Sequence, residues 1–120
     1  MTKRICELID TGAIAENALR IKEKAKGKKL IAVIKANAYG HGDTEVSRIL
    51  EKTADMFAVA TKDEALNLRQ NGVEKDIIIL SMIPDSDKAE CIKNGIILTA
   101  SDLSEGKRIS EAASEVGKQA

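Results

Sequence analysis

Aromatic rings are almost missing from this chain, which has one phenylalanine, one tyrosine and no tryptophan among 120 residues. That poverty argues against single-stranded nucleic-acid binding, which relies on aromatic stacking platforms. It also leaves the core to Ile, Leu, Val and Ala, a composition that suits parallel α/β folds whose central strands are buried on both faces. Net charge is missing too. Nineteen basic side chains cancel nineteen acidic ones, so no field draws the chain to a polyanion or a membrane surface. No apolar run approaches the roughly 18–20 residues of a membrane span. The opening Met-Thr-Lys-Arg lacks the apolar region of a signal peptide. The two cysteines, Cys6 and Cys91, are far apart, with no CxxC pair and a single histidine, His41, in the chain. Both read as reduced thiols of a cytoplasmic protein, and no metal site is expected.

What is present is an ordinary globular balance, 43 % apolar and 32 % charged, at the length of one small domain. Residues 6–9 form a short extended candidate. From Asp10 the pattern turns helical, with Ile14, Ala18, Ile21 and Ala25 on one stripe and Gly27 as a stop. The lysines around Gly27 read as a solvated helix end. A first strand is expected over 30–36, then a loop over 37–42 and a helix from Asp43, whose carboxylate is placed to cap it. Further strands are expected over 56–60, 77–80 and 96–100. The helix after the second opens on Thr61-Lys62-Asp63-Glu64, a capping box in which hydroxyl and carboxylate each bond a backbone N–H of the other's residue. A helix over 85–93 follows the third strand. A last one, capped by Ser101 or Asp102, carries Leu103, Ile109, Ala113 and Val116 on its apolar side.

The order is therefore one helix, then strand–helix four times. Apolar strands alternating with amphipathic helices at this spacing imply parallel pairing through crossovers, an α/β fold of repeated β/α units. Two architectures satisfy that pattern, a small open parallel sheet and half of an eight-stranded barrel. In either, the C-terminal ends of the strands form the functional face.

The chemistry concentrates in one stretch, Leu30-Ile31-Ala32-Val33-Ile34-Lys35-Ala36-Asn37-Ala38-Tyr39-Gly40-His41-Gly42. Five apolar residues run straight into a lysine. An ammonium at the end of a buried strand is costly unless it is paired or reaches water along its stem. Chemistry that uses a neutral amine as nucleophile needs a lysine in such a half-dry place. Ala-Val-Ile-Lys-Ala-Asn-Ala-Tyr-Gly-His-Gly resembles the cofactor-lysine signature of the bacterial alanine racemases at eleven consecutive positions, and element order and spacing follow that family from about Cys6 to the last residue. The resemblance implies the first half of a (β/α)8 barrel of the TIM type, here a single N-terminal domain over 1–120 that lacks the family's C-terminal β domain. It implies pyridoxal phosphate as cofactor, Lys35 as Schiff-base lysine and proton-transfer base for the D-enantiomer, Tyr39 on the cofactor phosphate and Leu80 against the cofactor ring. Alanine is the implied substrate, and a homodimer the implied state of the full-length parent.

Asn37 and His41 take loop-supporting roles in this reading, Gly40 and Gly42 serve backbone geometry, and Glu64 is explained by helix capping alone. The family's pyridine-nitrogen arginine, most of its phosphate cup and its second base, a tyrosine, match nothing within these residues. The 120 residues by themselves are therefore expected to be inactive. Two other readings stand beside this one: a racemase of another small amino acid such as serine, and a non-catalytic cofactor-binding or interaction module.

Overall fold

A computed structural model describes residues 5–120. The Met-Thr-Lys-Arg opening, on which the signal-peptide reading rested, lies outside the described residues. The chain runs α1 (Thr11–Lys24), β1 (Ile31–Val33), a short turn α2 (Lys35–Tyr39), α3 (Asp43–Leu50), β2 (Met56–Val59), α4 (Lys62–Gln70), β3 (Asp76–Ile79), α5 (Asp85–Lys93), β4 (Ile96–Leu98) and α6 (Leu103–Val116). This is the expected order, one helix and then four strand–helix units.

Local chemistry explains most boundaries. The Asp10 side chain accepts the Ala13 N–H to open α1, and Asp102 accepts from the Glu105 N–H to open α6. The capping box at Thr61 and Glu64 forms in full. Three expectations are corrected. Residues 6–9 form no strand, and Leu8 lies exposed. Helix α3 is opened by Asn37, whose side-chain oxygen takes the Asp43 N–H at 3.0 Å, while Asp43 turns its own carboxylate to the Thr44 N–H. Leu103 is 76 % exposed, because the buried side of α6 begins further on, at Glu105, Ile109 and Ala113.

All four strands pair in parallel, in the spatial order β1-β2-β3-β4. That order decides between the two architectures. A doubly wound sheet reverses direction at a switch point between strands. Here each strand is added on the same side of the last, as in a β/α barrel. The register sets Ala32, Phe57, Ile77 and Ile96 on one level, and Val33, Ala58, Ile78 and Ile97 on the next. The first set and its alternates Ile34, Val59, Ile79 and Leu98 pack with Val46, Leu50, Ala65, Leu68 and Cys91 from the helices to form the main core. The other face carries Ile31, Val33, Met56, Ala58, Ile78 and Ile97, and there Ile31 and Val33 are exposed while Ala58 is buried. The radius of gyration is 16.3 Å, above the roughly 14 Å of a closed globule of this length. Half a barrel wall accounts for that.

Candidate active site

At the end of β1 the ladder continues one residue, with the Ile34 N–H donating to the Ala58 carbonyl at 2.9 Å. Ile34 is buried in the core. The chain then leaves the sheet abruptly. Ala36, Asn37, Ala38 and Tyr39 take φ of 51, 55, 53 and 56°, a single turn of left-handed helix built without glycine. The left-handed helix costs an L-residue roughly 1–2 kcal/mol per position, so this turn persists only because its surroundings hold it.

The holding contacts can be named. Within the turn, the Ala38 N–H donates to the Ile34 carbonyl at 3.0 Å and the Gly42 N–H to the Asn37 carbonyl at 2.9 Å. Ala38 is buried against the core, where its small side chain fits. His41 Nδ1 lies 3.1 Å from the Ala38 carbonyl, which makes it an N–H donor and gives the histidine a structural role, as expected. Gly40 and Gly42 both stand at φ 91°, the region that favours glycine, and let the chain turn out of the left-handed helix and into α3. Glu64 is the contact from elsewhere. Its Oε1 accepts the Ala36 N–H at 2.7 Å, while Oε2 accepts the Ala60 and Thr61 N–H groups at 2.7 and 3.1 Å. Partial burial pushes the Glu64 carboxyl up, but the bonds from Ala60, Ala36 and Thr61 outweigh it and leave it below the ordinary carboxylate range.

The sequence-derived residues all follow the C-terminal ends of strands, Lys35 and Tyr39 after β1 and Leu80 after β3. Lys35 stands two residues past Val33, where β1 ends, and Leu80 one residue past Ile79, where β3 ends. The Leu80 N–H still donates to the Val59 carbonyl, so the ladder reaches that far. Lys35 is half-buried and Leu80 exposed. Tyr39 is 62 % exposed at the end of the left-handed turn. An amine, a phenol and an apolar side chain thus lie just past the ends of β1 and β3.

The family model described as "Alanine racemase, N-terminal domain" matches residues 9–120. This chain belongs to the alanine racemase family. The alanine racemase of Streptococcus agalactiae is 42 % identical over 97 residues, 80 % of this chain and 26 % of that protein. Among solved structures, the alanine racemase of Clostridium difficile 630 superposes with a TM-score of 0.83 at 37 % identity, covering 90 % of this chain and 30 % of its own. A histidine racemase from Leuconostoc mesenteroides superposes with a TM-score of 0.82 at 30 % identity, over 91 % and 30 % of the two chains. The 120 residues thus span less than a third of the length of these relatives. Against them the four parallel strands are a run of β/α units of a TIM-type barrel, matching the N-terminal domain of these longer proteins.

Two residues that hold this loop were only partly legible in the sequence. Asn37 sits six residues before Asp43, and no standard capping spacing marks it as the residue that opens α3. Glu64 is signalled by its capping box, but nothing in that motif shows its second oxygen reaching a loop 28 residues away.

Proposed function

We propose that this chain is the cofactor-bearing segment of a pyridoxal-phosphate-dependent alanine racemase, a cytoplasmic enzyme that interconverts L- and D-alanine. The observation that carries the reading is the seating of the eleven-residue lysine motif. It begins in the first strand of a parallel β/α array and delivers Lys35 to the strand-end face. Lys35 would hold the cofactor, Tyr39 would donate a hydrogen bond from its hydroxyl to the phosphate, and Leu80 would pack on the ring. When bound, pyridoxal phosphate supplies an electron-withdrawing ring that acidifies the α-carbon of an amino acid.

The chain's own part is positioning and proton movement. The Lys35 amine, held at the end of β1, takes or gives the α-proton on one face of the substrate. Inversion needs a second base on the opposite face. The only tyrosine here is Tyr39, already committed to the phosphate. The family resemblance implies a tyrosine for that base, supplied by a C-terminal β domain of a homodimer partner, and on that reading these 120 residues alone are inactive. A second reading has a specific observation behind it. A segment of like fold, 30 % identical, occurs in a protein named for histidine, so this stretch leaves substrate choice open to another amino acid such as serine.

The test is to mix the chain with pyridoxal phosphate, reduce with borohydride and locate the adduct by mass spectrometry. One adduct, on Lys35, is expected. Labelling scattered over the exposed Lys24, Lys26, Lys28 and Lys29 would remove Lys35 from its role. D-alanine formation by the purified 120 residues would show that no second base is missing.

A further inference from the structure

We propose that Glu64 is the positioning residue for Lys35, its carboxylate fastening the peptide that follows the lysine to the end of β2. The inference rests on the reading of Lys35 given above. A capping box asks the residue at the third helical position for one bond, back to the N-cap N–H. Glu64 makes that bond to Thr61 and adds two more. One goes to Ala60, at the end of β2, and one crosses to Ala36. The Ala36 N–H belongs to the peptide joining Lys35 to the left-handed turn. It stands at the start of that turn, where a helix leaves its first donors without partners inside itself. Glu64 is the acceptor that this donor finds.

The geometry makes the carboxylate specific. All three donors are backbone N–H groups, so both oxygens at position 64 must be acceptors. A glutamine offers an NH2 group to one side and loses either the β2 bonds or the Ala36 bond. An aspartate keeps the charge and can serve the helix cap, but its stem is one methylene shorter and does not reach Ala36. The turn being held is the strained one, with four consecutive positive φ values. Released from Glu64 it has lower-energy conformations to adopt, and Lys35 and Tyr39 move with it. A reacting amine tolerates displacements of only about half an ångström before its chemistry suffers.

Two measurements on the 120-residue chain test this. The first is amide hydrogen exchange at Ala36 in the wild type, Glu64→Asp, Glu64→Gln and Thr61→Ala. A hydrogen bond to a charged acceptor corresponds to roughly tenfold or more in opening. Protection at Ala36 should fall by at least that in both Glu64 variants while the amides of β3 and β4 keep theirs. Thr61→Ala weakens the α4 cap and leaves the Ala36 bond intact, so its Ala36 protection should hold. The second is the share of borohydride-trapped pyridoxal phosphate found on Lys35 rather than on other lysines. It should fall about tenfold in Glu64→Asp and stay near wild type in Thr61→Ala. Unchanged Ala36 protection in Glu64→Asp, or an equal loss in Thr61→Ala, overturns the proposal. Wild-type and Glu64→Asp chains that label Lys35 equally overturn it too, with the cofactor reading left standing. A wild type that does not label Lys35 sinks the cofactor reading instead, and exchange at Ala36 then decides the clamp by itself.

Discussion

Cys91 shows how one residue's surroundings decide its chemistry. It lies on α5 with no exposure, packed into the main core. Burial pushes its thiol up to about 11, the Asp87 carboxylate adds to the rise and Lys62 partly opposes it. Because the thiolate is the reactive form, Cys91 is expected to resist alkylation in the folded chain. Cys6 is exposed. Iodoacetamide should therefore modify Cys6 alone under native conditions, and Cys91 only when urea opens the core, at least a hundredfold slower in the folded state. Equal rates at the two thiols would mean that the α5 side of the core is open. The residue scale is also where the sequence spoke unevenly. The placement of Lys35 and Leu80 just past strand ends was legible because each follows an apolar run. The left-handed turn was not. Alanine, asparagine and tyrosine carry no sign of positive φ, and the apolar run suggested a strand reaching 36 when pairing ends with Ile34.

At the scale of elements, α5 and α6 are joined by charges that sequence patterning did not disclose. Lys88 and Glu105 are 1 % and 3 % exposed and lie 3.1 Å apart, with Asp85 and Arg108 completing the group. Periodicity reads both as surface residues, since a charged side chain is buried only when a partner arrives from another helix. The apolar part of the interface, Ile92, Ile109 and Ala113, was readable in part for the ordinary reason of spacing. Hydrogen bonds from Arg108 and Lys88 hold the Glu105 carboxyl below its usual 4.5, and the Lys88 bond holds Asp85 below 3.8. Burial works against the Lys88 ammonium, but its bonds to Asp85 and Glu105 outweigh that and keep its proton tighter than usual. The unfolded chain thus binds more protons than the folded one in acid. The carboxylates' contribution is complete above about pH 5 and is lost as pH falls through their depressed folded values. Urea midpoints should fall with acid more steeply in the wild type than in Glu105→Gln. Lys88→Met, which leaves a buried carboxylate short of a partner, should cost roughly 3 kcal/mol. Adding Glu105→Leu to it should restore most of that loss. A double variant no better than the single would show that the pair contributes more than an apolar contact of its size.

The whole molecule is a wall with one finished side. The helices cover the face that carries Phe57, Ile77 and Ile79, while Ile31, Val33, Met56 and Ile97 line the other. The sequence announced four β/α units but not their spatial order. Strand neighbours are long-range contacts, and short apolar strands of similar composition leave several orders open. Only the observed β1-β2-β3-β4 ladder turns the alternation into an arc of a barrel, with one side of β1 and one of β4 unpaired among the described residues. Closing a barrel of this type takes eight strands. Until something pairs with those edges, they and the apolar inner face invite association. Prepared as these 120 residues, the chain should therefore associate with itself as its concentration rises, and sedimentation velocity reads this directly. Ile31, 46 % exposed on the inner face at the end of β1 away from Lys35, is the place to test the cause. Ile31→Lys removes an apolar contact of roughly 1.5–3 kcal/mol and sets a charge beside the free edge. It should weaken association about tenfold or more without lowering the urea midpoint, because this side chain is outside the helix-covered core. A chain that stays monomeric at every concentration would mean the inner face closes upon itself. An Ile31→Lys variant that associates unchanged would move the contact to the β4 edge.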